Sequence, residues 1–168
     1  MYKPGSLRTH LTNANPDLRQ NPENLLVFAD EGNIVATGTA SLSFEYRYRL
    51  NIIITDYSGD ADAIIVPLLA WIAVHQLDLV GNDEKRKTGI RFEVDFNNHE
   101  TIDLSIKLDL TERVIVQRRE QGRLDVRHLP EPQPTPAYVD DITEFWTLYD
   151  GDTLVAQWHT PTAQFGAY

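Results

Sequence analysis

Residues 41–56 alternate between apolar and polar side chains, and this run constrains the fold more than any other part of the 168-residue chain. Period two in a run rich in aromatic and β-branched residues predicts a β-strand with one buried and one solvated face. Such a strand is typical of an antiparallel sheet with one face exposed to water. The apolar positions are Leu42, Phe44, Tyr46, Tyr48, Leu50, Ile52 and Ile54.

Two further alternating runs predict more strands of this sheet. Residues 90–96 and 102–110 flank residues 97–100, Asn-Asn-His-Glu, which predict a hairpin turn. The second pattern continues to Val116, but Glu112 falls on its apolar phase. We expect a bulge at Glu112, or a strand that leaves the core there.

Two helices are predicted to pack on the sheet. Residues 4–13 form the first, with Ser6 as a plausible N-cap. Residues 61–76 form a mostly apolar helix with Trp71 in the core, and Pro67 indicates either a late start or a kink.

The segments beside these elements carry weaker signals. Residues 25–29 predict a short strand, and the charged residues 81–87 predict a loop. Asp60 or Asp62 is expected to cap the apolar helix.

The fold class predicted is α+β: a mostly antiparallel sheet with long strands, packed by one or two helices, plus a C-terminal β-hairpin arm. We place the core domain at residues 1–128, a proline-rich linker at 129–137 and the arm at 138–168. Every second linker residue from Pro130 to Pro136 is proline, which favours extended polyproline II geometry.

The arm is predicted to be a hairpin around Asp150-Gly151. An isolated two-stranded hairpin is marginal in water, so we expect it to dock on its own domain or on a neighbouring subunit. Its aromatic surface comes from Phe145, Trp146, Tyr149 and Trp158.

Charge is distributed unevenly along this acidic chain, whose formal net charge is −10. An acidic protein is a poor partner for phosphate backbones. From His128 onward the chain has no Lys or Arg, whereas the preceding segment is basic through Arg113, Arg118, Arg119, Arg123 and Arg127. These charges are either a solvated surface or complementary faces that meet between subunits.

No pattern in the sequence indicates catalysis, a metal or a cofactor. The chain has no cysteine, its histidines form no zincin-like motif, and no serine lies in a Gly-x-Ser-x-Gly elbow. The glycines lack the spacing of a phosphate-binding loop. The first residues carry no apolar run of signal-peptide type, and we expect a soluble, unexported protein.

The order and spacing of many short blocks resemble the phage tail completion protein R (GpR) family of contractile-tailed temperate phages. The resemblance covers about the first 130 residues and a last segment similar to Leu148-Tyr149 and Trp158. Nothing after Trp158 matches. The blocks are residues 3–8, 11–12, 21–22, 40–45, 48–56, 65–67, 69–71, 83–84, 95, 97–98 and 110–113.

The resemblance implies a structural protein, not an enzyme, that completes the head-proximal end of a contractile tail. Related tail terminators are α/β proteins that form hexameric rings, cap the tube and end tube or sheath polymerisation. By analogy, the expected partners are further copies of this chain, six in number by that ring geometry, together with tail tube or sheath proteins and head-completion proteins. No direct nucleic-acid or membrane partner is implied. The expected location is the virion or a tail particle, including phage-tail-like bacteriocins, assembled in the bacterial host cytoplasm.

We predict subunit contacts at six residues: Arg113, Arg118, Arg119, Trp146, Tyr149 and Trp158. Three other functions stay open. A head–tail connector would join finished tails without setting their length, and an assembly chaperone would be absent from the finished particle. A small-molecule-binding or enzymatic domain would show a deep pocket with convergent polar groups.

Overall fold

The computed structural model describes residues 1–38, 41–97, 100–132 and 144–160, and it has the predicted α+β architecture. Its helices are α1 (Lys3–Ala14), α2 (Pro16–Gln20), α3 (Asp62–His75), α4 (Asp78–Gly81) and α5 (Asp83–Thr88). Its strands are β1 (Leu25–Ala36), β2 (Phe44–Tyr57), β3 (Ile90–Phe96), β4 (Ile102–Arg118), β5 (Leu124–His128), β6 (Phe145–Asp150) and β7 (Thr153–His159). Single 3₁₀ turns lie at Pro22–Asn24 and Glu120–Gly122.

The main sheet is antiparallel, with the order β1-β2-β4-β3 and with β5 also paired to β4. Strand β4 is long enough to pair with β3 along residues 102–108 and with β5 along residues 114–118. Val114 pairs with Phe44 on one side and His128 on the other. Strands β3 and β5 therefore share the edge of β4 that faces away from β2.

The alternating pattern in β2 and β4 produces the core, as predicted. Helices α1 and α3 cover the apolar face, and Trp71 of α3 is buried there, with its Nε1–H donating to Ser6 Oγ at 3.1 Å. The buried strand residues are Tyr48, Leu50, Ile52, Ile54, Leu104, Ile106, Leu108 and Leu110. At about 1.5–3 kcal/mol for each fully buried aliphatic side chain, this layer is a large favourable contribution to folding.

The predicted N-cap of the first helix is wrong. Helix α1 begins at Lys3, and Tyr2 stands at the N-cap position without a side-chain cap. The Tyr2 and Lys3 amides instead donate to the carboxylate of Glu112, which lies on β4. A distant strand thus supplies the capping acceptor, which is why no local signal marks it.

The start of α3 also differs from the prediction. Ala61 occupies the N-cap position, so neither Asp60 nor Asp62 does, although Asp60 Oδ1 accepts the Asp62 amide at 2.8 Å. Pro67 lies inside a helix that already begins at Asp62, so a late start is excluded.

Residues 81–87 are not a loop, because α4 and α5 occupy this stretch. Asn82 caps α5, accepting the Glu84 and Lys85 amides at 3.0 and 3.1 Å. A polar helix that packs little apolar surface lacks the periodicity by which helices are recognised.

One strand is longer than the sequence predicts, and another was not predicted at all. Strand β1 runs well beyond the apolar residues 25–29. The sequence did not predict its second half because those residues are exposed and have no apolar pattern. Strand β5 has no counterpart among the predicted elements. Of the turn predicted at residues 97–100, Asn98 and His99 lie outside the described residues, and β3 and β4 on either side of it pair as expected.

The C-terminal hairpin forms as predicted, with Gly151 at a φ of 55° in its turn. Ala156 and Trp158 of β7 pack against Ala14 of α1 and Ala70 of α3. Residues 133–143 and 161–168, including Pro134 and Pro136, lie outside the described residues. The division into core domain, linker and arm stays a prediction.

Burial of His75 in α3 makes stability depend on pH. Its ring packs on Trp71 with centroids 4.7 Å apart, and desolvation, then the nearby Lys3 and His10, lower its pKa to about 4. The folded state therefore keeps the ring neutral at a pH where the unfolded chain, with an ordinary histidine pKa of about 6.5, binds a proton.

We predict that this group's contribution is fully present above pH 6.5 and is lost as the pH falls toward 4. Relative to His75→Phe, the wild-type free energy of unfolding should fall by about 2 kcal/mol between pH 7 and pH 5. Urea denaturation of both proteins at the two pH values measures this. Parallel pH profiles for the two proteins would contradict it.

Candidate assembly site

Glu112 is a buried carboxylate at the centre of the molecule, only 4% exposed. It accepts the amides of Tyr2 at 2.7 Å and Lys3 at 3.2 Å, and the Tyr48 hydroxyl at 2.5 Å. His128 Nδ1 lies 3.0 Å from Glu112 Oε2, the oxygen that also accepts the Tyr2 amide. Burial, and next the Glu112 charge, raise the pKa of Tyr48, so the phenol stays a proton donor.

The irregularity predicted at Glu112 is therefore wrong. Tyr46 pairs with Glu112 in an unbroken register, and the residue stays on the buried face of β4. A charged residue on an apolar phase is tolerated because donors from four other residues satisfy it. The break in the hydrophobic pattern at Glu112 thus marks a buried set of hydrogen bonds and not a bulge.

A second set of polar contacts adjoins the first through Lys3. Its ammonium donates to Gln76 Oε1 at 2.8 Å and Glu131 Oε1 at 2.7 Å. Burial lowers the pKa of Lys3, and Glu131 opposes that shift. Because Glu131 lies three residues after the end of β5, this ion pair fixes the position of the chain where it leaves the sheet.

The Gln76 side chain hydrogen-bonds to the part of β4 that lies between its pairings with β3 and β5. Between β3 and β5, no strand in the described part of the chain borders this edge of β4, and the Thr111 amide there donates to Gln76 Oε1 at 3.0 Å. Gln76 Nε2 donates to Thr111 Oγ1 and to Asp78 Oδ1. The Gln76 side chain thus supplies the hydrogen-bond acceptor that a neighbouring strand would otherwise provide.

We call this network of Lys3, Tyr48, Gln76, Glu112, His128 and Glu131 the polar junction. It joins the start of α1, the end of α3, the two central strands and the end of β5. Its carboxylate already accepts from several donors, which suits a structural role and leaves little capacity for proton transfer.

Beyond the polar junction, the apolar face of the sheet continues, and no helix of the described residues lies over it. We call Ile34, Phe44, Tyr46, Leu124 and Val126 the distal patch. Ile34 pairs with Tyr46 in the row of Glu112, and Phe44 packs edge-on against Tyr46 at 4.8 Å. Ile34 is 69% and Val126 63% exposed. Uncovered apolar side chains on one face mark an interaction surface.

Of the three predicted arginines, Arg118 lies on the same face of the sheet as this patch, because it pairs with Leu124. Arg113 pairs with Glu45 on the opposite face, and Arg119 contacts Asp125, which also lies on that opposite face. Arg118 pairs with Leu124 across the sheet, and it has no ion-pair partner among the described residues. Arg119 binds Asp125 at 2.8 Å, while Arg113 donates to the Pro130 carbonyl at 3.3 Å. Arg119 and Arg113 thus already have contacts within the chain, and Arg118 is the available cation.

The predicted aromatic residues divide between two faces of the arm. Trp158 is buried, and its Nε1 has no hydrogen-bond acceptor among the described residues. Trp146 is partly exposed and donates to Glu144 Oε2 at 2.7 Å. We call Phe145, Tyr149 and Leu154, which are 54%, 56% and 40% exposed, the arm stripe.

The structure does not bring the predicted arginines and aromatic residues together within one chain. The first turn of α1 lies at Glu112, beside the distal patch, whereas Ala14 at the other end packs on the arm. Twelve helical residues span about 18 Å. The two groups therefore lie toward opposite ends of α1.

The described residues offer little for small-molecule chemistry. An open groove of about 350 Å³ is lined by charged groups already in ion pairs, such as Arg49 with Asp109 and Glu31, both at 3.1 Å. Within the same residues no cluster of three metal-ligating side chains occurs, and no helix is long and apolar enough to cross a membrane.

Exposed apolar surfaces at two ends of an α+β domain are typical of proteins that assemble with other subunits. The family comparison is specific: residues 1–132 match the family model of the P2 phage tail completion protein R (GpR). The chain belongs to this family.

The similarity also extends past the core domain. The chain is 45% identical over 158 residues to the tail completion protein R of Escherichia phage P2, covering 94% of this chain and 99% of that protein. An alignment of this length takes in most of the arm. No solved structure matches the chain.

The polar junction predicts a large effect of a small substitution. Glu112→Gln should lower the free energy of unfolding by about 2–4 kcal/mol, because the neutral amide weakens several charge-assisted hydrogen bonds and presents a donor to other donors. Asp109→Asn is the matched control: it lies on the same strand in exposed ion pairs, and it should change stability little. Urea denaturation compares them, and equal effects of the two variants would contradict the proposed importance of the junction.

Proposed function

We propose that this protein completes phage tails, acting as a structural subunit at the head-proximal end of a contractile tail. The observation that carries the proposal is the similarity to tail completion protein R over nearly the full length of both chains. The family match over residues 1–132 agrees with it. The paired charges of the groove and the filled Glu112 site support a structural role over a catalytic one.

We further propose that the protein works as a ring that caps the tube and ends polymerisation. A closed ring needs two different surfaces on each subunit, so that one copy binds the next head to tail. The distal patch and the arm stripe meet this requirement, since they differ in composition and lie toward opposite ends of α1. The partners in this proposal are other copies of the chain and the last tube or sheath subunits, within a virion or tail particle assembled in the host cell.

Electron microscopy of tails from a strain that lacks this gene tests the proposed function. Overlong or uncapped tubes are the expected result, because nothing would stop polymerisation. Normal lengths with unjoined heads would replace the capping role by that of a connector. Normal, functional particles would contradict tail completion altogether.

A truncation tests the role of the arm. The chain 1–132 keeps Glu131 and hence the ion pair with Lys3, and it removes from the described core only the contact of the arm with Ala14 and Ala70. We expect a cooperative thermal transition but a loss of tail completion by about tenfold or more, because hot-spot contacts are concentrated in few aromatic residues. Circular dichroism and counts of complete tails measure the two. Wild-type complementation by the truncated chain would show that the arm is dispensable.

A further inference from the structure

The arm and the distal patch are two exposed apolar surfaces that one chain cannot bring together. The arm is held on α1 and α3 by Ala156 and Trp158, at the Ala14 end of α1. The distal patch lies past the other end, where Glu112 holds the first turn. The arm stripe consequently faces away from its own core and has no apolar partner on the distal part of its own sheet.

The charges around these two surfaces are complementary. The described arm, residues 144–160, carries Glu144, Asp150 and Asp152 and has no lysine or arginine. The segment that forms the end of β4, the following turn and β5 carries five arginines, and only Glu120 and Asp125 oppose them between residues 113 and 128. An acidic hairpin tip and a basic sheet end attract each other and set the orientation of a contact.

Arg113, Arg119 and Arg123 have polar contacts within the described part of the chain. Arg118 and Arg127 are both exposed, and of these two Arg118 lies on the face of the distal patch, opposite Leu124. Asp125 already binds both Arg119 and Arg123, at 2.8 and 2.7 Å, and those two contacts lower the pKa of the Asp125 carboxyl. Arg118 is exposed, lies beside Leu124 on the patch face and lacks an ion-pair partner in the described part of the chain. On the arm, Asp152 is exposed in the hairpin turn.

We propose that the arm of one copy docks on the distal patch of the next copy. In this contact, which rests on the proposed ring, the arm stripe covers Ile34, Leu124 and Val126, and the acidic hairpin tip lies against Arg118. Trp158 is not part of the contact, because its buried ring anchors the arm to its own core. Each subunit thus gives its arm to one neighbour and its patch to the other.

A charge exchange tests this contact without removing apolar core. Arg118→Glu and Asp152→Lys each place like charges opposite one another, and each should reduce the yield of complete tails by about tenfold or more when supplied to a strain lacking the gene. Both positions are exposed and bind nothing that the core needs. Lys87→Glu, the reversal of an exposed cation on α5 away from both surfaces, is the matched control and should complement normally.

Two rescue experiments identify the partner of these surfaces. The double variant Arg118→Glu, Asp152→Lys should recover completion, because the exchanged charges again attract between neighbours. Co-expression of the two single variants should also recover it, since alternating subunits restore every contact. If both single variants are defective and neither rescue experiment restores completion, these surfaces meet a different tail protein and the proposal is overturned. Single variants that complement like wild type would also overturn it.

The same strains separate this proposal from the proposed function. If the gene is needed for complete tails but both single variants complement, the docking proposal fails and tail completion stands. If tails are complete without the gene, tail completion itself fails.

Discussion

The rest of the structure depends on one buried carboxylate, Glu112. Its oxygens accept from the start of α1 and from the Tyr48 hydroxyl, and they contact His128 at the end of β5. Leaving such a group unsatisfied in the core costs several kcal/mol, so the stable folded state requires all of these elements to be in place. The contacts of Lys3 with Gln76 and Glu131 extend the same requirement to the end of α3 and to the exit of the chain.

This constraint gives the molecule two distinct ends. On one side of the polar junction, α1 and α3 cover the sheet and carry the arm. On the other side, the sheet continues through Ile34 and Val126, which are exposed among the described residues. A rigid centre that separates two unlike surfaces is the property that head-to-tail assembly needs, because the relative orientation of the surfaces determines whether a ring closes.

Much of the fold could be predicted from the sequence, because the strongest signals come from side chains that face one continuous core. The alternation through Leu50 and Ile52 identified β2, and Asp150-Gly151 identified the arm. Helix α4 escaped prediction because it is only four residues long, and α5 because it has no buried residue. Strand β1 was underestimated because its second half is exposed. The polar junction could not be assembled from sequence, since Lys3, Gln76 and Glu131 are far apart in the chain and only their contacts define them. The subunit contacts predicted at Arg118 and Tyr149 stay predictions, and the sequence did not show that the two residues lie on separate surfaces.

We propose that this chain stands at the head-proximal end of the tail with unlike surfaces of neighbouring subunits in contact. A cryo-electron microscopy map of that end, from particles produced with the wild-type chain, would show this arrangement. We expect a closed ring of this α+β fold in which each arm hairpin lies over the distal patch of the next subunit. A terminal ring that leaves Ile34 and Val126 exposed, or a tail end without this fold, would contradict it.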